Sequence, residues 1–384
     1  MLGAARRRRP PLPLLPAALL FLAPAFWPAA PGSAAPAPRR LAAMEPGHLA
    51  AFADPGRLWG DGIERAIEEA FRAHFRTRII GGRVMNVRMP FAKNNERSML
   101  VEGRLDVVGG GKGSPQALWP AIDALLDSED FARYVRALSD GTEQVIVFDL
   151  ERRSWESSRD FALIARMRAG LYPGLPHRPH VLVSGSGITE ADVYNYIYAV
   201  GRIGVDCSGF VWNVLAHAAG RGGANLARLL GPSMGVPRGR DPAWYAGTVF
   251  FNSANPNLAP VEDVIANLRP ADVILFRGPD GRMSHSAIIQ SVDFARGVIR
   301  YLQSTDMALQ EERGAHESFI HFDPARPYLS LRDPSLRWTK QRRAAFLGEP
   351  DCPFGDDGGR YRAFEEFGGG RVVRLRLMER LRFN

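Results

Sequence analysis

Between Gly62 and Phe75 the apolar residues Ile63, Ile67, Ala70 and Phe71 recur at three- and four-residue spacing, so the segment reads as a helix with one buried face. Strands follow at Arg78–Met89 and Met99–Val108, then a helical stretch at Ala117–Leu138 and a strand at Gln144–Leu150. Thr189-Glu190-Ala191-Asp192 has the pattern of a capping box, with Thr189 accepting from the helix it opens and Asp192 reaching back. That helix runs to about Val200. A second begins at Asp206-Cys207-Ser208 and ends near Gly220, with Phe210, Val211, Val214, Leu215 and Ala218 as its apolar stripe. From there the period shortens to two. Arg269–Asp272 turns into a strand Val273–Phe276, Pro279-Asp280-Gly281 is turn chemistry, and Ser284–Val292 and Val298–Gln303 are strands joined by the turn Asp293–Gly297. If Val292 and Val298 close that hairpin, Gln303 is a diagonal neighbour of His285 on one face, and a one-residue slip would reverse it. In the tail, Arg374 and Arg376 alternate with Val373, Leu375 and Leu377, which predicts a last strand at 372–377 with a solvated, basic face.

These elements describe an α+β chain in two parts. Tyr172–Pro179, with Pro173, Pro176 and Pro179, is the expected boundary between a separate mixed α+β region at 46–175, of unassigned role, and a domain at 180–384. His177 and His180 are read as linker histidines. Arg221–Pro260, rich in Gly, Pro and Asn, is expected to supply loops framing a groove. Met1–Ala35 runs from a basic start (Arg6–Arg9) through an apolar stretch (Leu12–Trp27) to small residues ending in Ser33-Ala34-Ala35, the order of a secretory signal peptide, with 36–45 as a linker. Retention as a membrane anchor is the alternative, and Pro13, Pro16, Pro24 and Pro28 count against a spanning helix. The reading is export to the periplasm or cell envelope.

Composition changes the picture in one respect. Hydrophobic content of 46% and charged content of 23% exclude disordered, collagen-like and coiled-coil classes. The net charge of +8 suggests a nucleic-acid partner, but six of the 49 basic residues and none of the 41 acidic ones lie in the first 40 positions. The remaining 43 against 41 leave +2, so no nucleic-acid partner is expected. Oligomeric state is left open.

The chemistry centres on one of two cysteines, Cys207 and Cys352, too few for a disulfide scaffold or thiolate metal cage. Cys207 falls in the first turn of its helix, where unpaired N–H groups and the positive dipole end favour a thiolate. A small buried hydrophobe is the plainer reading of such a residue. An exported chain runs an oxidation risk by keeping a cysteine, and His285 is available downstream as a base. His316 and His321 are read as surface residues and Cys352 as a loop residue. Val108–Ser114 resembles a phosphate loop only superficially, because Gly113 separates Lys112 from Ser114; it is read as a flexible turn.

Asp206-Cys207-Ser208-Gly209-Phe210-Val211, the Pro270–Phe276 strand entry and a strand opening with His285 together resemble the NlpC/p60 family of papain-like cysteine peptidases. The resemblance covers roughly 180–305 and implies a helix bearing Cys207 packed on an antiparallel sheet bearing His285. It implies Cys207 as nucleophile, His285 as general base and Gln303 as the residue orienting it, with Asp206 and Ser208 flanking the nucleophile on the substrate or oxyanion side. Gln303 stands where the family usually has His. Tyr196 matches the family's tyrosine before the nucleophile and would serve the substrate or oxyanion, although the same position suits a core aromatic. The implied activity is an endopeptidase cutting peptidoglycan stem peptides or muropeptides, at a D-glutamyl–diamino acid bond, peripheral to the envelope; the alternatives are a catalytically weak or inactive wall-binding scaffold on the same fold, and an amidase or acyltransferase acting on a non-wall substrate. No metal or organic cofactor is implied.

Overall fold

In a computed structural model the chain is described at residues 62–92, 111–139, 144–149, 154–158, 180–183, 188–201, 203–278, 280–305, 314–339, 364–365 and 368–383. The expected signal segment, its linker, the strand at Met99–Val108, the Tyr172–Pro179 boundary and Cys352 lie outside these residues. In chain order the elements are α1 (Ile63–Arg72), β1 (Phe75–Ile80), β2 (Arg83–Arg88), α2 (Pro115–Leu126), α3 (Glu129–Ser139), β3 (Gln144–Asp149), β4 (Ser154–Ser158) and β5 (His180–Val183). They continue with α4 (Glu190–Tyr196), α5 (Cys207–Arg221), α6 (Leu226–Leu230), α7 (Thr248–Phe251), β6 (Leu258–Val261), β7 (Val273–Arg277), β8 (Met283–Asp293), β9 (Val298–Thr305), β10 (Gly314–His321), β11 (Arg337–Thr339) and β12 (Arg371–Leu375). No helix among the described residues is long and apolar enough to cross a membrane.

The fold is mixed α+β with antiparallel sheets: β1–β2, β4–β3–β5, and a larger sheet ordered β11–β10–β9–β8–β7–β12–β6. The tail strand β12 thus lies inside the large sheet, between β7 and β6. Strand alternation sends its side chains to two cores. Val273, Leu275, Ile288, Leu302, Val373 and Leu375 pack with Phe210, Val211, Val214 and Leu215 of α5. Ile274, Phe276, Ala287, Ile289, Tyr301, Ile320 and Val372 pack on the other face with Leu329, Leu331, Trp338 and Phe364.

Several expectations are corrected. The single strand expected over Arg78–Met89 is instead the end of β1 and all of β2, because Gly81 and Gly82, at φ 57° and 76°, make the two-residue turn that pairs Ile80 with Arg83. The helix expected over Ala117–Leu138 breaks after Leu126, where the Ser128 hydroxyl accepts from the Phe131 N–H at 3.1 Å and starts a new helix. The helix expected to reach Val200 is α-helical to Tyr196 and then widens into a π turn, Ile197–Gly201. Its capping box forms as read, with Asp192 N–H on Thr189 Oγ1 and Thr189 N–H on the Asp192 carboxylate.

The region expected to stand apart shares the core of the rest. Ile67, Phe71, Leu118, Trp119 and Ile122 belong to one buried cluster with the apolar stripe of α5, and Leu58–Asn384 is one compact unit. Arg300 of β9 fastens α1 to the sheet. It is 3% exposed, donates to Glu68 at 2.6 Å and to Glu317 at 2.8 Å, and lies 5.5 Å from the Phe71 ring. The expected basic face of β12 is only partly solvated, since Arg374 bonds both oxygens of the fully buried Asp272, at 2.7 and 2.8 Å.

Candidate active site

Asp206 builds the start of α5. Its carboxylate accepts from the Gly209 N–H at 2.5 Å, as an N-cap should, and leaves Cys207 as the first helical residue. The backbone before it is pinned by a bridge between Val205 and Gly111 and by the Asp206 N–H donating to Gly111 O at 2.8 Å. The segment read as a flexible turn is therefore part of the site's frame. Lys112 is buried and gives its three protons to Asp206 Oδ1 at 2.9 Å, Ser208 Oγ at 2.5 Å and Ala246 O at 3.5 Å. Ser208 in turn donates to Asp206 at 3.1 Å. Asp206 and Ser208, expected beside the substrate, are buried and committed to this network. Nothing in the residue pattern marks Lys112; a lysine within a glycine run predicts solvent, and only the approach of α5 buries it.

Cys207 is free and 8% exposed. Burial pushes its thiol above the ordinary range and the neighbouring Asp206 carboxylate adds to this; Lys112 and the Ser286 N–H and hydroxyl, which face the sulfur, oppose it. The net result is a protonated thiol at neutral pH.

The opening toward Ser286 comes from the sheet. β8 and β9 pair from Asp293↔Val298 to Ile288↔Leu302. Beyond that point Gln303–Thr305 stay paired with β10 while His285–Ala287 stay paired with β7. The hairpin register differs by one from that expected near the turn, with Val292 opposite Ile299, and a bulge at Gln290 restores it by Ile289↔Tyr301. His285 and Gln303 consequently meet as the sequence register required: His285 Nε2 lies 2.7 Å from Gln303 Oε1. Gln303 Nε2 donates to Ser318 Oγ at 2.8 Å, and in this placement the amide oxygen faces the ring. With the amide so placed, the matching tautomer donates from Nε2 and puts the lone pair on Nδ1.

The two halves face different ways. Ser286 opposes Leu275, on the α5 side. His285 opposes Phe276, with ring centroids 5.5 Å apart, on the far side. The groups that act on the Cys207 thiol are Asp206, Lys112 and Ser286. A second bulge, where Met283 and His285 oppose Arg277 and Phe276, lies at this end of β8.

Tyr196 is elsewhere. It stacks on Tyr134 and meets Phe131 edge-on, both at 4.9 Å, with its hydroxyl toward Ser128, so it is a core aromatic and not part of the Cys207 surroundings. His316, read as a surface residue, is buried on β10 directly opposite Gln303. The Arg221–Pro260 insertion folds into short helical turns rather than open loops, and reaches the site through Ala246 O and through Thr248 Oγ1, which donates to Met283 O at 2.8 Å. Among the described residues no group of three His, Cys, Asp or Glu side chains is placed to hold a metal. No family model matches the chain, and comparisons with curated proteins and with solved structures also find no match.

Proposed function

We propose that the protein is an exported cysteine hydrolase with the papain-like NlpC/p60 arrangement, cleaving an amide bond in peptidoglycan stem peptides, at the D-glutamyl–diamino acid junction. The observation that carries this reading is the His285–Gln303–Ser318 relay, which holds the imidazole by Nε2 on the strand beside the helix headed by Cys207. The peptidoglycan substrate and the export follow from the resemblance around Cys207 and His285 and from the signal-like Met1–Ala35. Because the resting thiol is protonated, His285 acts as general base rather than as half of a standing ion pair. This chemistry requires the imidazole to reach the sulfur around the bulged end of β8, where the ladder with β9 has ended. Nδ1 takes the thiol proton as Sγ attacks the carbonyl carbon. The tetrahedral intermediate collapses, the amine departs with that proton, and an acyl-enzyme remains. Water, deprotonated by His285, releases the acid and restores Cys207.

A second reading, a wall-binding protein of the same fold without turnover, is favoured by the buried thiol and by the placement of His285 on the sheet face opposite to the one α5 covers. Mass spectrometry of products from purified sacculi separates the two. Release of muropeptides by the wild type and none by Cys207→Ala supports the hydrolase. Undiminished release by Cys207→Ala overturns it, and equal sacculus binding by both proteins with no release establishes the second reading.

A further inference from the structure

Lys112 has no part in the relay, yet it is a fully buried cation whose three protons all find acceptors, on α5 and on the insertion. Its segment is held as closely as its side chain. Gly111 adopts φ 75°, a Cβ on Gly209 would meet Gly111 O at 2.3 Å, and Asn213 of α5 donates to Gly113 O at 2.8 Å. The packing of this segment against the first turns of α5 leaves no slack, so the ammonium has one place to sit.

We infer that Lys112 is a positioning residue for Cys207: its ammonium locks the Asp206 cap and Ser208 into the first turn of α5 and neutralises the one carboxylate beside the sulfur. This rests on Cys207 as the reacting group of the proposed hydrolase. The charged groups facing the sulfur are Asp206 on its own helix and Lys112 on the adjoining segment; β8 contributes the neutral Ser286, and its His285 turns to the other face. His74, against the Phe210 ring, is held neutral by burial, at about 4. Without Lys112 the Asp206 charge opposes ionisation of Cys207 uncompensated.

The test reads the thiol rather than turnover, so it answers even if Cys207→Ala shows the hydrolase reading to be wrong. In a Cys352→Ser background, the rate of alkylation of Cys207 by iodoacetamide is followed against pH, with circular dichroism as the check on folding. Lys112→Met is expected to raise the midpoint by about one pH unit or more, roughly tenfold less thiolate at neutral pH. The double variant Lys112→Met/Asp206→Asn removes both charges and keeps a good N-cap, and is expected to return the midpoint to within a few tenths of the wild type. An unchanged midpoint in a folded Lys112→Met protein overturns the inference. So does a double variant as far shifted as the single one. If the single variant does not fold, the double variant decides alone: a midpoint near the wild type supports the counter-charge role, and a raised one overturns it.

Discussion

At the scale of single residues, the consecutive pair Ser286 and His285 decides the character of the site. Alternation along a strand gives each neighbour a different face, so Ser286 goes to the Cys207 sulfur and His285 to Gln303. The relay on the far face has one consequence that kinetics reads directly. Gln303→Leu keeps the bulk and removes the acceptor that holds the proton on Nε2 of His285. It is expected to lower kcat by about 10²-fold, with KM little changed. Steady-state rates on a muropeptide check it, and a loss confined to KM would point to substrate binding instead. The meeting of His285 and Gln303 was legible in the sequence, because it needs only a hairpin register. The side of the sheet on which they meet was not, since alternation says which residues share a face and is silent about which face α5 covers.

Among elements, the attachment of α1 to the sheet depends on a buried, shared cation. Arg300 satisfies Glu68 of α1 and Glu317 of β10 at once, and the two carboxylates raise its pKa against the burial that would lower it. Arg300→Met leaves both acids without their shared cation and is expected to cost about 3–5 kcal/mol of stability, measured by urea denaturation at neutral pH. The turn after α1 holds a second device. His74 is fully buried, with Nδ1–H donating to Ala70 O at 2.9 Å, and burial lowers its pKa from 6.5 to about 4. Between those values the unfolded chain binds a proton that the native one does not, so stability falls as pH drops through that window. The loss relative to His74→Gln is expected to reach roughly 3 kcal/mol at the acid end, read from urea midpoints at stepped pH. That comparison cancels the buried Asp192 and Asp272, whose pKa values are raised chiefly by burial and whose effect on stability has the opposite sign.

For the whole molecule, the shared core replaces the expected division near Tyr172–Pro179. Phe71, Trp119 and Ile122 are buried with Phe210, Val214 and Leu215, so neither side of that division has a complete apolar interior without the other. A chain beginning at His180 is expected to give no cooperative thermal transition, and a sharp two-state melt from that fragment would restore the separate domain. The sequence by itself determined the elements with strong local signals: the amphipathic α1, the capping box opening α4, the Asp206 start of α5, and the hairpin of β8 and β9 that brings Gln303 to His285. Each depends on neighbours a few residues apart, or on a turn that sets a register, and periodicity and capping chemistry report such neighbours directly. Tertiary structure alone decided that Lys112 is a buried partner of Asp206, that Tyr196 belongs to the core, that His316 lies beside Gln303, and that Cys207 meets Ser286 before His285. Those outcomes turn on which distant segments share an interior and on which face of a sheet a helix covers. Both are settled by long-range packing, for which a lysine in a glycine run or a tyrosine on a helix carries no local sign.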